Sequence, residues 1–226
     1  VPFVAECFDP IITTEWRRSR VAYKWNARME KIISLNAKAV IWYTQGALNE
    51  ARFRYSRLME VGHLVRPGMS PPDFSNVSYE KGKKLRFCYF GGLSKERSLS
   101  DFIEALKLIL IDNPDLAEII EVHTFGGKLD ELTQLASQNL PSGVLKKHGR
   151  LEHDQSSGRS GRQRVLEEMR KADFLILIHG VGEICSLYIP SKTYEYIWAR
   201  RPIIALSPYS DEFRELLNER EHLIVD

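Results

Sequence analysis

From residue 85 onwards, short apolar segments alternate with segments whose apolar residues recur at helical spacing. Leu85–Phe90 and Phe174–Ile178 are apolar runs of strand length, and the second is uninterrupted, as is typical of a strand covered on both faces. Residues 101–111 instead repeat apolar side chains at the spacing of a helix. Further strands are predicted at Ile119–Phe125, Val144–His148, Ile203–Leu206 and Leu223–Val225. This alternation predicts an α/β fold, with a Rossmann-like parallel sheet that carries helices on both faces.

The first 66 residues show the same alternation over a shorter length. The predicted strands and helices follow in turn at Pro2–Ala5, Trp16–Ser34, Ala39–Tyr43, Ala47–Met59 and Gly62–Val65. A proline- and glycine-rich cluster, Arg66–Pro72, comes next, and such clusters mark boundaries. We therefore predict a partial α/β domain over 1–66, a linker over 67–84 and a larger α/β domain over 85–226. Because the chain opens inside a predicted strand, we expect it to be a fragment.

The composition is that of an ordinary globular protein. Hydrophobic residues make up 43% of the chain and charged residues 27%, and the formal net charge is +2. This near-balance of charge gives no electrostatic basis for binding nucleic acid. Cys7, Cys88 and Cys185 lack the spacing of a metal site, so reduced core thiols of a cytoplasmic protein are expected.

The segment Ile189–Tyr196 combines groups that suit a sugar nucleotide. Pro190 fits the first turn of a helix, because its missing N–H would have no partner there. Lys192 and Glu195 are three residues apart and share one face of that helix. The helix start favours a phosphate, Lys192 adds a positive charge, and Glu195 can accept hydrogen bonds from sugar hydroxyls. The alternative is an ordinary amphipathic surface helix with an exposed lysine and glutamate.

A second candidate site follows the first strand of the larger domain, at Gly91-Gly92. Glycines let a backbone approach a ligand closely, and ligands bind parallel sheets at the carboxyl ends of their strands. The next helix, with Ser98 or Ser100 as its N-cap, would present its N-terminus to an anion. The alternative is a tight turn without a ligand, in which Lys95 and Arg97 are merely solvated.

These motifs resemble a known family. Pro190-Ser191-Lys192-x-x-Glu195-Tyr196, followed by a Pro-Ile-Ile strand start at Pro202, is similar to the donor-binding half of glycosyltransferases with two Rossmann-like domains, the GT-B fold. Within that fold the chain resembles the group 1, or family 4, retaining transferases of bacterial polysaccharide synthesis. The resemblance covers nearly the whole chain. It implies that 1–66 is part of the acceptor domain and that 85–226 binds the donor.

The resemblance also implies roles for individual residues. In the family, the glutamate at the position of Glu195 binds the ribose of the nucleotide sugar. A basic residue after the glycines contacts the donor diphosphate, and Arg97 fits best, with Lys95 second, because a guanidinium offers bidentate bonds. Arg97 and Lys192 are the predicted catalytic residues, which stabilise the departing diphosphate without a metal or other cofactor. The predicted nucleotide-sugar site comprises Gly91, Gly92, Arg97, Ser191, Lys192 and Glu195.

One position departs from the family pattern. Many retaining members carry a further glutamate upstream, near the transferred sugar, and its position is occupied by Leu187. Glu183, four residues earlier, is either a substitute or a plain loop residue, and the second interpretation is favoured. The sequence therefore leaves the sugar and the stereochemical outcome open.

We expect a metal-independent glycosyltransferase that moves a sugar from a nucleoside diphosphate sugar to a glycan or lipid-linked acceptor. Two alternatives stay open. One is a sugar-nucleotide epimerase of the same fold, which would need acid–base groups that the sequence shows only weakly. The other is a non-catalytic nucleotide-binding or interaction module.

Two basic segments each allow two interpretations. The first is the start of a basic, aromatic helix, which contains Trp16–Arg18, Arg20, Lys24, Trp25 and Arg28. Such helices can lie on anionic membranes, and in a cytoplasmic protein this would be the inner face of the membrane. The alternative, which the sequence favours, is that the tryptophan stripe packs inwards. Ser156–Arg164 mixes serine, glycine and arginine and is predicted to be disordered, with a membrane-facing loop as the alternative.

Overall fold

Two parallel sheets form in the chain, one from each group of predicted strands. The computed structural model describes residues 1–13, 19–74, 77–207, 210–218 and 222–225. The strands are β1 Val4–Cys7, β2 Ala39–Trp42, β3 Gly62–Leu64, β4 Leu85–Gly91, β5 Ile120–Gly126, β6 Leu145–Gly149, β7 Phe174–Ile178, β8 Ile203–Leu206 and β9 Leu223–Val225. The helices are α1 Arg20–Asn36, α2 Gln45–Arg54, α3 Leu58–Val61, α4 Ser100–Asp112, α5 Glu131–Ala136, α6 Gly161–Lys171, α7 Lys192–Ala199 and α8 Asp211–Asn218.

The chain divides into two compact units. Unit 1 comprises Val1–Met69, Gly182–Pro190 and Tyr209–Glu219, and unit 2 comprises Ser70–Val181, Ser191–Pro208 and Arg220–Asp226. Sequence analysis placed 182–190 and 209–219 within 85–226, and the structure groups them with unit 1. The assignment of acceptor domain, linker and donor domain stays a prediction.

Unit 2 has the strand order of a doubly wound fold. Its six strands are parallel and follow the order β6-β5-β4-β7-β8-β9, which reverses direction between β4 and β7. Apolar residues of α4 and α5 pack on one face of this sheet, as Leu106 and Ala136 show. On the other face, Tyr196 of α7 packs against Phe90, and Glu168 of α6 pairs with Arg86 at 2.8 Å. The predicted α/β, Rossmann-like class is therefore confirmed.

Unit 1 carries a smaller sheet, in which β1, β2 and β3 run parallel in sequence order. The predicted single helix Ala47–Met59 is wrong, because Tyr55 adopts an extended conformation and separates α2 from α3. The break brings Arg57 to the end of α1, where its guanidinium donates to the carbonyl oxygens of Ser34 and Ala37 at 2.8 Å each. Those carbonyls lack partners within the helix, so the break satisfies them.

The helix α1 exposes the apolar stripe that was expected to pack inwards. Trp25 is 64% exposed and Met29 is 52% exposed. The favoured interpretation of an inward-packing tryptophan stripe is therefore wrong for Trp25, whereas Trp16–Arg18 lie outside the described residues. Among the described residues, no helix is long and apolar enough to cross a membrane.

The three cysteines are buried and form no disulfide, which confirms the predicted core thiols. Burial raises the pKa of Cys88 to about 12, and the charges of nearby Arg86 and Glu168 modify it less. Because the thiolate is the reactive form, this residue is a packing group of the sheet rather than a nucleophile.

Candidate functional site

The strands β4 and β5 end side by side at a pair of glycines. Gly91 and Gly126 are register partners, and both have positive φ, 141° and 140°. A Cβ added to Gly126 would lie only 2.2 Å from the carbonyl oxygen of Gly91. Only glycine allows this backbone conformation and this approach. The paired ends lie beside the reversal point of the strand order, where open α/β sheets bind their ligands.

The helix α7 is attached to the end of β4 through a buried tyrosine. The hydroxyl oxygen of Tyr196 accepts a hydrogen bond from the backbone N–H of Phe90 at 3.1 Å, and the side chain is fully buried. Burial raises the pKa of Tyr196 well above its ordinary value, so the hydroxyl stays neutral. This bond positions the first turn of α7 over the glycine turn.

Lys192 is the first residue of α7 and extends over Gly91. Its Cε lies 3.4 Å from the position that a Cβ on Gly91 would occupy. Burial lowers the pKa of Lys192, the nearby Glu195 carboxylate raises it, and Arg162 lowers it further. A cation at a helix N-terminus is unfavourable, because the helix dipole is positive there. A bound anion would offset both the charge of Lys192 and the positive end of the dipole.

The predicted helix start at Pro190 is wrong by two residues. Ser191 is the N-cap of α7, and its side chain makes no capping hydrogen bond in the described part of the chain. The Tyr194 N–H donates to the carbonyl oxygen of Ser191 at 3.3 Å, which closes a tight turn at the start of α7. The exposed Ser191 hydroxyl therefore stands at the helix start with no role in capping.

Glu195 lies one turn further along α7 and pairs with Arg162 as well as with Lys192. Nη1 of Arg162 donates to Oε1 of Glu195 at 2.7 Å, and Nζ of Lys192 lies 3.9 Å from Oε2. Sequence analysis missed Arg162, since it lies in a segment predicted to be disordered. In the structure, the first part of that segment lies in a turn closed by a hydrogen bond from Asp154 N–H to the Arg159 carbonyl oxygen at 2.9 Å, and α6 begins at Gly161.

Arg97 is exposed and lies in the loop between β4 and α4. Arg97 and Ser94 exchange two backbone hydrogen bonds, of 3.1 and 3.0 Å, which close a tight turn. Burial raises the pKa of Tyr89, and the charge of Arg97 partly opposes this rise. Tyr89 in turn donates to the carbonyl oxygen of Gly92 at 2.9 Å. The predicted contact of Arg97 with the donor diphosphate stays a prediction.

The predicted N-cap of the helix that follows is wrong. The N-cap of α4 is Leu99, because Ser98 and Thr133 perform the capping from outside that position. The Ser98 hydroxyl accepts from Ser100 N–H at 3.1 Å, and the Thr133 hydroxyl accepts from Leu99 N–H at 3.0 Å. The N–H groups of Leu99 and Ser100 are therefore bonded to protein side chains.

Leu187, at the position of the missing glutamate, belongs to unit 1. Its carbonyl oxygen accepts from the Thr44 hydroxyl at 2.6 Å, and its side chain packs against the apolar cluster around Trp42. It is a core residue of that unit. The backbone turn Glu183–Leu187 that carries Glu183 also belongs to unit 1.

The structure joins two histidines whose positions in the sequence suggested no relation. His123 and His148 stack, with 2.9 Å between Nδ1 and Nε2, and Nε2 of His123 lies 3.0 Å from Glu121. Even so, the described residues include no group of three or more His, Cys, Asp or Glu side chains that could hold a metal ion. The absence of a metal from the reaction stays a prediction.

No protein-family model matches the sequence, and no curated protein is significantly similar to it. Solved structures do match. A trehalose-phosphate synthase from Burkholderia vietnamiensis aligns with 99% of this chain at a TM-score of 0.66 and 9% identity. WaaG, a glycosyltransferase involved in lipopolysaccharide biosynthesis, aligns with 98% at 0.65 and 13% identity. HepE of Anabaena, solved with UDP and glucose, aligns with 99% at 0.58 and 14% identity. The chain has a GT-B glycosyltransferase fold.

The GT-B similarity is one of fold, given these low sequence identities. The chain spans 57% of the trehalose-phosphate synthase, 60% of WaaG and 57% of HepE. The predicted resemblance to GT-B glycosyltransferases is thereby confirmed for the architecture.

Proposed function

We propose that this chain carries the donor site of a glycosyltransferase. The enzyme would transfer a sugar from a nucleoside diphosphate sugar to a glycan or lipid-linked acceptor, without a divalent metal. The observation that carries the proposal is the position of Lys192, whose side chain crosses Gly91 at the first turn of α7. There a lysine, a helix N-terminus and a glycine turn converge where a doubly wound sheet binds ligands.

The charges around the turn suit a leaving diphosphate. When the bond between the sugar and the diphosphate breaks, negative charge grows on the phosphate oxygens. Lys192 and Arg97 would stabilise that charge from two sides of the Gly91–Gly92 turn, and fixed cations act most strongly in a partly water-excluded site. Glu195 would accept hydrogen bonds from ribose hydroxyls. The Ser191 hydroxyl, which does not cap α7, would donate to the phosphate.

The fold neighbours support this choice over the alternatives. HepE was solved with UDP and glucose, and WaaG acts in lipopolysaccharide biosynthesis, so both support a nucleotide-sugar donor and a glycan or lipid-linked acceptor here. An epimerase would need an acid–base pair next to the sugar. The charged group next to Gly91 is instead the cation Lys192, which suits phosphate and favours transfer.

Calorimetric titration tests the proposal. The chain is titrated with UDP, GDP and ADP and with their glucose or mannose conjugates, with and without magnesium. We expect one nucleotide to bind in the absence of metal, and we expect Glu195→Ala and Arg97→Ala to weaken that binding by about tenfold each. Lys107→Ala removes a partly exposed cation on α4 and is the control. A folded chain that binds none of the nucleotides would contradict the donor-site assignment.

We also propose that α1 contacts an anionic membrane surface, as suits a lipid-linked acceptor. Its exposed apolar stripe includes Trp25 and Met29. The single carboxylate of α1, Glu30, is buried and bound by Arg54 at 2.7 Å. The exposed charged residues of the helix are therefore all cations, namely Arg20, Lys24, Arg28 and Lys31. Helices of this composition lie in the interface of anionic bilayers.

Vesicle sedimentation tests the membrane contact. The full protein chain should bind vesicles that contain equal parts of phosphatidylcholine and phosphatidylglycerol, and not vesicles of phosphatidylcholine alone. The double variant Lys24→Ala/Arg28→Ala should weaken binding about thirtyfold, because each cation near such a surface contributes roughly 1 kcal/mol. The control is Leu108→Ser, which removes an apolar residue of α4 that is about as exposed as Trp25. Equal binding to both kinds of vesicle would contradict the proposal.

A further inference from the structure

Arg162 reaches the proposed donor site from a helix to which sequence analysis gave no function. Its Nη1 donates to Oε1 of Glu195 at 2.7 Å, which joins the start of α6 to the first turn of α7. The Glu195 side chain is only 14% exposed, whereas that of Arg162 is 49% exposed. A largely buried carboxylate requires a partner for its charge, and Arg162 is the closer of its two cations.

The backbone at the start of α6 holds Arg162 in place. Ser160 and Gln163 form a reciprocal capping box around the helix start. A Cβ on Gly161 would lie 2.2 Å from the carbonyl oxygen of Leu151, so the two segments pack at a distance that only glycine permits. Arg162 therefore projects from a closely packed helix end.

The other two arginines of the segment are engaged elsewhere. Arg159 pairs with Glu167 at 2.7 Å. Arg164 donates to the carbonyl oxygen of Glu152 at 2.9 Å. Both carry the same charge as Arg162 within a few residues, and neither pairs with Glu195 in the structure. They show that contact with Glu195 is a property of one position and not of the segment's general basic character.

The two oxygens of Glu195 have different surroundings. Oε1 accepts from Arg162, whereas Oε2 is buried and has no hydrogen-bond partner among the described residues. Lys192 Nζ is 3.9 Å from Oε2, which is beyond hydrogen-bond distance. A buried acceptor without a donor is unfavourable, and a ligand hydroxyl would supply the missing donor.

We propose that Arg162 is a positioning residue of the donor site, which holds Glu195 by one oxygen and so directs the other at the ribose hydroxyls. The inference rests on the proposed function, in which Glu195 binds ribose. Arg162 acts mainly through Glu195, to which it is bonded at 2.7 Å, because its charge is the weakest of the three influences on the pKa of the neighbouring Lys192. Its removal should therefore affect recognition of the ribose and leave recognition of the phosphates unchanged.

Calorimetry with three probes tests this role: UDP, an analogue of UDP that lacks both ribose hydroxyls, and inorganic pyrophosphate, or the corresponding set if GDP or ADP binds better. Arg162→Ala should weaken binding of the nucleotide about tenfold and leave the other two probes unchanged. Arg162→Lys should restore part of the loss. Arg159→Ala should change nothing, and Arg162→Ala should have no further effect when added to Glu195→Ala. Thermal unfolding of every variant checks the fold.

The outcomes separate this inference from the proposed function. If Arg162→Ala weakens pyrophosphate as much as the nucleotide, the residue acts on phosphate and the positioning role is overturned. If Glu195→Ala weakens the nucleotide and Arg162→Ala does not, the positioning role is again overturned while the proposed function stands. If no nucleotide binds, or if Glu195→Ala has no effect, the proposed ribose site fails and this inference fails with it.

Discussion

Replacing Gly126 with alanine is expected to destabilise the chain by about 3 kcal/mol or more. The residue has a φ of 140°, a conformation that costs roughly 1–3 kcal/mol for a residue with a side chain. In addition, the new methyl group would lie 2.2 Å from the carbonyl oxygen of Gly91, so β4 and β5 would have to separate at their carboxyl ends. Urea-induced unfolding followed by circular dichroism measures the loss.

Gly127→Ala is the matched control for this substitution. Gly127 is the next residue, it is exposed, and no described atom lies within 4 Å of the position of its Cβ. Its replacement should change the free energy of unfolding by less than about 1 kcal/mol. Equal stabilities of the Gly126→Ala and Gly127→Ala variants would show that the close approach of the two strand ends does not exist.

In the full protein, Lys192→Met is expected to lower the rate of sugar transfer by about a hundredfold or more. The methionine keeps most of the length of the side chain and removes the charge that lies over Gly91. Without it, the departing diphosphate would lose the cation at the start of α7, whereas Glu195 would keep its bond to Arg162 at 2.7 Å. The fold should therefore be preserved, and the loss should appear in the chemical step.

Initial-rate kinetics and thermal unfolding together decide the role of Lys192. Lys192→Arg, which keeps the charge, should retain more activity than Lys192→Met. Lys107→Met is the control, because Lys107 lies on α4 and pairs with Glu104 at 2.9 Å. A Lys192→Met enzyme of wild-type stability and wild-type rate would contradict the proposed stabilisation of the leaving group.

Local pattern was enough to predict the strands of unit 2. The predicted strands Phe174–Ile178, Ile203–Leu206 and Leu223–Val225 agree with the structure residue for residue. Phe174–Ile178 is continuously apolar because it lies inside the sheet and is buried along most of its length, so adjacent residues alone identify it as a strand. Helix boundaries were less accurate, as at Tyr55 and Pro190, because the ends of a helix depend on which distant groups satisfy its free N–H and C=O groups.

The candidate site was predictable only in part. Gly91, Lys192 and Glu195 stand in short motifs, and the sequence alone placed them at a strand end and a helix start. Arg162 could not be found in this way, because it belongs to a polar segment with no apolar pattern. Nor does the sequence indicate that Tyr196 bonds to the backbone of β4, more than a hundred residues away.

By itself, the sequence determined that this protein is an α/β protein with a glycine turn after one strand and a Lys–Glu pair at the start of one helix. These features depend on residues that are neighbours along the chain. Tertiary structure alone decided that Lys192 crosses Gly91, that Gly126 must be glycine and that Arg162 holds Glu195. The physical reason is that each of these contacts joins segments far apart in sequence, and their approach is set by the packing of parallel strands and of the helices that cover them.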